Sequence, residues 1–390
     1  MKKVLIIIFT ILFILPVVFS EQAPYVSFDL SEGIVMSDSM SNLTSYNVFA
    51  DVGYIITRPD GSAYMMMYEL IYQGPGLRPL GSESLAERNQ DHYFLFKYMK
   101  NFSDKLTFKA KANYLWEFYR LSKSEEWGSG LYDFTRGGVG FALSYKFSQS
   151  VILSGDLNFF QVKYPNYNDL FTEYITNQQI SEVKVDNNII KFSLSLSNKV
   201  SSVLSYGGKL SYTMKSFPKQ SVLASTGDYS SSKQEDTGLG LDLSLMRVVD
   251  NVVIGGKISY YQNTSNQNVI DMNEGAPYFI EDYYSYSMFE INPIVKWMLN
   301  KKHQLLFSLS YISKSYDNRP SREEDGLYRE DNLKNNYLLF STMWNISVTE
   351  FLKVQPVYFY KSSSSNNDYS SFVNYNYKLH YLGINFLFEY

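Results

Sequence analysis

The chain is 390 residues long, carries a formal net charge of −4, and contains 35 tyrosines and 27 phenylalanines but no cysteine. The mildly acidic balance gives no support to nucleic-acid binding, which requires a basic stripe, and the lack of cysteine excludes disulfides and a lipidated cysteine anchor. No charged, proline-rich or low-complexity linker marks a domain boundary, so the composition favours one large domain.

The first twenty residues have the pattern of a secretory signal peptide. Lys2 and Lys3 precede an apolar run that ends before Pro16, and the small residue Ser20 follows it. We expect cleavage after Ser20, which leaves residues 21–390 as a single exported domain. An N-terminal membrane anchor is the alternative, although the uncharged run is slightly short for a spanning helix.

Beyond Ser20 the sequence alternates between apolar and polar residues and contains no stretch of eighteen apolar residues, so it predicts no further membrane-spanning helix. In 190–199 (IKFSLSLSNK) almost every second side chain is apolar. Because successive side chains of a strand point to opposite faces, this pattern predicts a strand between an apolar and a polar medium. Sixteen segments share the pattern: 25–36, 45–57, 62–73, 92–100, 105–120, 132–147, 151–164, 188–198, 202–215, 236–248, 252–262, 284–299, 304–316, 336–348, 350–361 and 371–390.

The links between these segments alternate in length. Links such as 58–62 and 101–104 are short enough for hairpin turns, whereas seven others are long: 74–91, 121–131, 165–187, 216–235, 263–283, 317–335 and 362–370. Tight turns at one end and long loops at the other are typical of a transmembrane antiparallel up-and-down β-barrel. We therefore predict an all-β barrel of about sixteen strands, with fourteen or eighteen as alternatives because segment 25–36 is weak.

Two positions disturb the alternation. Pro293 lies inside a predicted strand and cannot donate to the hydrogen-bond ladder, so we expect a bulge there. Near His380 the phase changes, because Tyr377 and Leu379 have the opposite parity from Leu382. A bulge, or a strand segment that stands above the membrane, would explain the change.

The chain ends in YLGINFLFEY, in which apolar residues alternate and the last residue is aromatic. This segment resembles the C-terminal strand of bacterial outer-membrane β-barrel proteins, and the resemblance extends to the leader and the strand-and-turn rhythm. It implies an outer-membrane location, contact with outer-membrane lipids, and recognition of Phe386, Phe388 and Tyr390 by the barrel-assembly machinery. The resemblance is to porins in the broad sense, whose trimers suggest a homotrimer by analogy.

The polar phase of the strands predicts an inner surface that carries many charges. A barrel of this size is too wide for side chains alone to fill, so we expect an aqueous lumen. A modest excess of lysine there favours anions, unless the charges pair across the wall. The charged residues that we assign to the lumen are Lys97, Lys109, Lys111, Glu117, Arg136, Lys146, Asp156, Lys191, Lys209, Asp242, Lys257, Glu290, Lys296 and Lys353, and Asp29, Asp51 and Glu69 share their phase.

Catalytic and metal-binding motifs are not found. The sequence contains no HExxH, GxSxG, P-loop or CxxC pattern, and of its three histidines only His92 follows an acid, Asp91. We therefore predict no enzyme, no cofactor and no bound metal. The acidic run 321–332 predicts a solvated surface loop, with divalent-cation or lipopolysaccharide bridging as the alternative.

The most favoured function is a channel through which small hydrophilic solutes diffuse across the outer membrane. Two alternatives belong to other classes: a specific transporter or exporter for a polysaccharide, lipid or protein, and a structural or adhesive surface barrel. The small polar residues on the inner phase of 188–198 and 202–215 favour a wet pore over a plugged one.

Overall fold

A computed structural model describes residues 21–38, 43–75, 88–120, 125–167, 185–273, 275–369 and 375–390. Over these ranges the chain forms eighteen β-strands, and no helix there is long and apolar enough to cross a membrane. The predicted leader, residues 1–20, lies outside the described residues. The strands are β1 (Glu21–Ser37), β2 (Leu43–Thr57), β3 (Ser62–Pro75), β4 (Arg88–Asn101), β5 (Leu106–Arg120), β6 (Phe134–Lys146), β7 (Val151–Lys163), β8 (Asn187–Lys199), β9 (Leu204–Leu223), β10 (Tyr229–Val249), β11 (Val252–Ser265), β12 (Val269–Asn273), β13 (Ala276–Ile280), β14 (Tyr286–Met298), β15 (His303–Arg322), β16 (Tyr328–Ser347), β17 (Leu352–Ser365) and β18 (Tyr377–Glu389).

Sixteen of these strands form one closed antiparallel barrel. Each strand pairs with the next along the chain, β1 pairs with β18 to close the wall, and β12 and β13 form a separate hairpin between β11 and β14. The prediction of a sixteen-stranded up-and-down barrel is confirmed. Segment 25–36, which looks weak as a sequence, is part of β1, a strand paired over most of its length with both neighbours.

The two faces of the wall differ as the alternation predicts. In β8, Phe192, Leu194 and Leu196 remain 39–48% exposed on the outer face, whereas Ser193 on the inner face is only 3% exposed. The curvature of a closed barrel crowds the inner face. Almost all buried residues of the barrel strands follow the phase of Ser193, among them Ser31, Leu95, Asn113, Leu115, Asn158, Val162, Phe217, Ser259, Ser310, Gln355 and Ser363.

The seam between β1 and β18 requires a glycine. A Cβ atom on Gly33 would lie 2.5 Å from the ring of Tyr381 and 2.6 Å from the carbonyl oxygen of Leu382. Any larger residue would push the Tyr381 ring out of its place on the inner face. The glycine that makes segment 25–36 look weak therefore allows the barrel to close tightly.

Long connections are shorter than predicted at two places. Strands β9 and β10 continue through 216–223 and 229–235, and β15 and β16 continue through 317–322 and 328–335, so only short turns join them. The predicted loop 263–283 contains the β12–β13 hairpin. These extensions stand beyond the alternating zone at one end of the barrel, which we call the loop end; the end with short turns and the C-terminus is the turn end.

The bulge expected at Pro293 is not present. Pro293 lies opposite Gly256 of β11, and β14 keeps one register with β15 on both sides of it, but Asn292 and Pro293 do not pair with β15. Pro356 has the same effect on β17: it pairs with Ile384 of β18, while the pairing with β16 is interrupted. Because proline has no N–H, each strand loses a ladder bond without a shift of register.

No bulge occurs near His380 either. The register between β17 and β18 is continuous from Tyr377 to Phe388, so the odd residues of β18 share one face throughout. His380 lies on the outer face, and its Nδ1 is 2.9 Å from the Tyr358 hydroxyl. Tyr377 and Leu379 therefore place large side chains on the inner face near the loop end, and this accounts for the phase change.

Candidate functional site

The inner face of the barrel carries the charges from which a site can be built. The fourteen charged residues assigned to the lumen all occupy inner-face positions, on β4 (Lys97), β5 (Lys109, Lys111, Glu117), β6 (Arg136, Lys146), β7 (Asp156), β8 (Lys191), β9 (Lys209), β10 (Asp242), β11 (Lys257), β14 (Glu290, Lys296) and β17 (Lys353). The structure brings some of them together and pairs others with counter-charges.

Five lysines form what we call the lysine wall: Lys97, Lys109, Lys111, Lys191 and Lys209. Lys97 lies directly opposite Lys111 in the β4–β5 ladder, and like charges in that position repel each other. The charges that act on Lys111 are those of Asp156, Lys97, Lys191 and Lys209. Among the described residues, none of the five forms an ion pair within 4.0 Å. The lysine wall therefore presents a net positive surface to the lumen.

A cavity of about 350 Å³ lies against the lysine wall on the inner face. Lys97, Lys109 and Lys111 contribute ammonium groups to it, and Asp156 and Asn158 lie at its β7 side. The remaining inner-face lining is apolar: Ile55, Ala63, Met65, Met99 and Ala142. The cavity thus combines a positive side with an apolar side.

Other inner charges are neutralised locally. Lys257 Nζ is 3.3 Å from a carboxylate oxygen of Asp242, which also accepts a 2.6 Å hydrogen bond from Ser259. Lys353 pairs with Glu389 at 2.5 Å. Glu290 accepts a hydrogen bond from Ser310 at 3.2 Å and forms no ion pair with a described residue. Charges therefore pair at Lys257–Asp242 and Lys353–Glu389, whereas the lysine wall contains no such pair.

Opposite in sign to the lysine wall, an acidic stripe crosses the first five strands with one carboxylate on each: Asp29, Asp51, Glu69, Asp91 and Glu117. Asp51 lies directly opposite Glu69, and Asp91 directly opposite Glu117. One oxygen each of Asp29, Asp51 and Asp91 is buried without a hydrogen-bond partner. Asp91 shares the parity of Lys97, so its inner-face position follows from the sequence alternation.

Asp91 and His92 do not form a catalytic pair, because adjacent strand residues point to opposite faces. His92 Nδ1 is 2.8 Å from the Tyr68 hydroxyl, and its Nε2 is 2.9 Å from the side-chain nitrogen of Gln90. Over the described ranges, no group of three or more histidine, aspartate or glutamate side chains is placed to hold a metal ion.

The acidic residues of 321–332 are exposed, as predicted, but the segment forms the ends of β15 and β16 and a short turn instead of a long loop. The guanidinium of Arg322 donates to Asp271 of the β12–β13 hairpin and to the hydroxyl of Tyr328, which itself donates to Asp271 at 2.8 Å. The ring of Tyr328 also packs against that of Tyr278 in a tilted arrangement, with 4.9 Å between ring centroids. The hairpin is thereby attached to the β15–β16 extension, and we call this unit the loop-end assembly.

Carboxylates of the loop-end assembly are held in their charged form. Burial raises the pKa of Asp271, but hydrogen bonds from the Met272 amide and the Tyr328 hydroxyl and the charge of Arg322 outweigh burial, so this pKa is below its usual value. Hydrogen bonds from Ser321, at 2.7 Å, and Asn366, at 2.6 Å, lower the pKa of Asp331. The assembly is therefore stabilised by ionised carboxylates.

The C-terminal residues proposed as an assembly signal lie at the turn end. Phe386, Phe388 and Tyr390 are 42%, 40% and 63% exposed and belong to the outer phase. The backbone of Tyr390 exchanges two hydrogen bonds with Val26, at 2.8 and 2.9 Å, and its ring packs at a tilt against Phe351 with 5.7 Å between centroids. The segment is thus fixed in the closed wall with its aromatic side chains on the surface.

No family model matches the sequence, and no curated protein matches it. Among solved structures, the fold is similar to the trimeric form of OmpT, an outer membrane protein of Vibrio cholerae, with a TM-score of 0.51 and 10% identity over 95% of this chain and 100% of that one. It is equally similar to OccAB3 of Acinetobacter baumannii, with a TM-score of 0.50 and 8% identity over 95% and 100%. The chain therefore has the fold of a bacterial outer-membrane β-barrel.

Proposed function

We propose that this protein is an outer-membrane channel through which small hydrophilic solutes diffuse, with a preference for anions. The observation that carries the proposal is the lysine wall, which presents five ammonium groups to the lumen without ion-pair partners among the described residues. Charges that line a pore select ions of opposite sign. In a dry interior, the desolvation of these unpaired charges would strongly destabilise the fold, whereas water in a lumen solvates them.

The same proposal includes the location, orientation and partners of the channel. Residues 1–20 direct export and are removed, the turn end faces the periplasm, and the loop end faces the outside. Outer-membrane lipids surround the apolar outer face, and the barrel-assembly machinery recognises Phe386, Phe388 and Tyr390. A homotrimer is compatible with the fold, since one similar solved structure is described as a trimer. The proposal assigns no reaction to the barrel.

The test is single-channel conductance of the refolded protein in a planar bilayer under a potassium chloride gradient. We expect stable ohmic steps and a reversal potential of the sign that indicates anion selectivity. The double variant Lys97→Gln/Lys111→Gln should lower the ratio of anion to cation permeability several-fold. The control Lys163→Gln removes one positive charge from the outer face of β7 and should leave selectivity unchanged. A cation-selective reversal potential in the unmodified barrel would contradict the anion preference.

The exporter and adhesive-barrel alternatives have one observation in their favour: the loop-end assembly is a large ordered structure at the end that faces outward in the proposed orientation. Correctly folded protein that conducts no current would favour these alternatives. Deletion of 269–280 then distinguishes the two alternatives. A gated exporter should conduct current after the deletion, whereas an adhesive barrel should lose its surface-binding activity.

A further inference from the structure

A second cavity lies on the inner face at the turn end, on strands β14–β17 and the turn between β14 and β15. Its volume is about 270 Å³, and its lining includes Lys296, Lys301, Lys302 and Lys353 with the side-chain amides of Gln304 and Asn345. Unlike the cavity at the lysine wall, its lining is mainly polar. The cavity therefore suits a compact hydrophilic ligand instead of one with an apolar part.

Positive charge is in clear excess in this turn-end cavity. Lys353 is paired with Glu389 at 2.5 Å, but Lys296, Lys301 and Lys302 form no ion pair with any described residue. Three lysines thus line one small cavity without an ion-pair partner among the described residues. Their mutual repulsion is relieved when an anion enters, so the arrangement favours an anion with more than one negative charge.

The local structure holds these groups in place. The side-chain oxygen of Asn300 accepts hydrogen bonds from the backbone N–H groups of Lys302, at 2.8 Å, and His303, at 3.0 Å. The backbone N–H of Ser347 also donates to the carbonyl oxygen of Lys302 at 2.9 Å. The turn is therefore fixed by its backbone, while the lysine side chains remain available to a ligand.

A short chain of amides completes the lining. Gln355 donates to Asn345 at 2.6 Å, and Asn345 donates to Gln304 at 3.3 Å. In this orientation the oxygen of Gln304 is used, so its NH₂ group is a hydrogen-bond donor that the chain leaves for a ligand. Ammonium groups beside an amide donor are the groups that bind oxyanions.

The geometry points to a binding site for small phosphate-bearing solutes at the periplasmic mouth of the lumen. A phosphate monoester carries a charge of about −1.5 to −2 at pH 7 on three acceptor oxygens, and lysine binds phosphate as a point charge. The inference deepens the proposed function, on which it rests for the orientation of the barrel, by naming a substrate class. Binding itself requires only the folded barrel.

Isothermal titration of the folded barrel, purified in lipid-free detergent, with inorganic phosphate at pH 7 tests the site. We expect saturable binding that Lys301→Gln/Lys302→Gln weakens at least tenfold. The matched control, Lys105→Gln/Lys199→Gln, removes two turn-end lysines outside the cavity and should bind phosphate as tightly as the unmodified barrel. Because no described contact depends on the Lys301 and Lys302 side chains, the test variant should fold.

Three results would overturn the site: absence of saturable binding, equal weakening in the control variant, or acetate bound as tightly as phosphate. Repetition in nanodiscs of anionic phospholipid separates a solute from a lipid headgroup. We expect phosphate binding to persist there, whereas its loss would assign the cavity to a lipid. Conductance is measured independently: phosphate binding by a barrel that conducts no current would preserve the site and reject the channel, and conductance without binding would do the reverse.

Discussion

The wall of the barrel and the loop-end assembly are built from the same kind of antiparallel strand but are held together in different ways. In the wall, lipid and water impose a strict alternation, so that Leu194 faces outward and Ser193 inward. At the loop end water surrounds the structure, and contacts such as those of Arg322 with Asp271 and Tyr328 replace the alternation. The alternation in this sequence therefore marks the strand residues that cross the membrane, and strands beyond the membrane do not need it.

The largest expected effect comes from a charge placed on the apolar outer face of the wall. Leu194→Arg places a charge on the outer face within the apolar band and should lower the free energy of unfolding in lipid vesicles by about 2–4 kcal/mol. Its control, Ser195→Arg on the same strand, directs the charge into the lumen and should cost much less. Denaturant titration of both variants measures the difference, and equal losses would contradict the assignment of the two faces.

A second, smaller effect concerns the loop end alone. Arg322→Ala removes the contacts with Asp271 and Tyr328 and should destabilise docking of the β12–β13 hairpin by about 1–2 kcal/mol, because the pair is partly exposed. Hydrogen exchange should increase in 269–273 and 276–280 and stay unchanged in β8. Tyr328→Phe removes only the hydroxyl and should have an intermediate effect. Faster exchange throughout the wall would show that the two regions are coupled.

Docking of the β12–β13 hairpin at the loop end should also respond to pH. Burial raises the pKa of Asp271 in the hairpin, but hydrogen bonds from the Met272 amide and the Tyr328 hydroxyl and the charge of Arg322 lower it below its usual value. Carboxylates with lowered pKa values stabilise docking above their ordinary pKa near 4, and this contribution is lost as the pH falls through the folded values. Limited proteolysis of 269–280 at pH 7 and near pH 3 measures the change, and resistance that is equal at both would contradict it.

The smallest expected effect concerns the two prolines that interrupt strand pairing in the wall. Pro293→Val restores a backbone N–H that can pair with β15, and it should raise the free energy of unfolding by about 0.5–1.5 kcal/mol. Pro356→Val should act similarly at the β16–β17 pair. Denaturant titration in vesicles checks both variants. A loss of stability in either would mean that the prolines relieve strain instead of interrupting a ladder.

The barrel could be predicted from the sequence because alternation marks every strand where it crosses the membrane. The prediction of loops at 216–235 and 317–335 was wrong for the same reason. Beyond the apolar band both faces of a strand contact water, so a polar strand there shows no alternation. The pairing of Lys257 with Asp242 can be inferred from spacing, because the short turn between β10 and β11 fixes their register. The docking of Arg322 on Asp271 joins distant segments, so spacing does not predict it.

The two proline interruptions also divide the wall mechanically. Pro293 and Pro356 weaken the β14–β15 and β16–β17 seams, which are the two borders of the β15–β16 hairpin. The β15–β16 pairing itself is continuous from His303 to Ser315. Under a pulling force we therefore expect this hairpin to leave the barrel as one piece, by tearing along the two weakened seams while its own ladder stays intact.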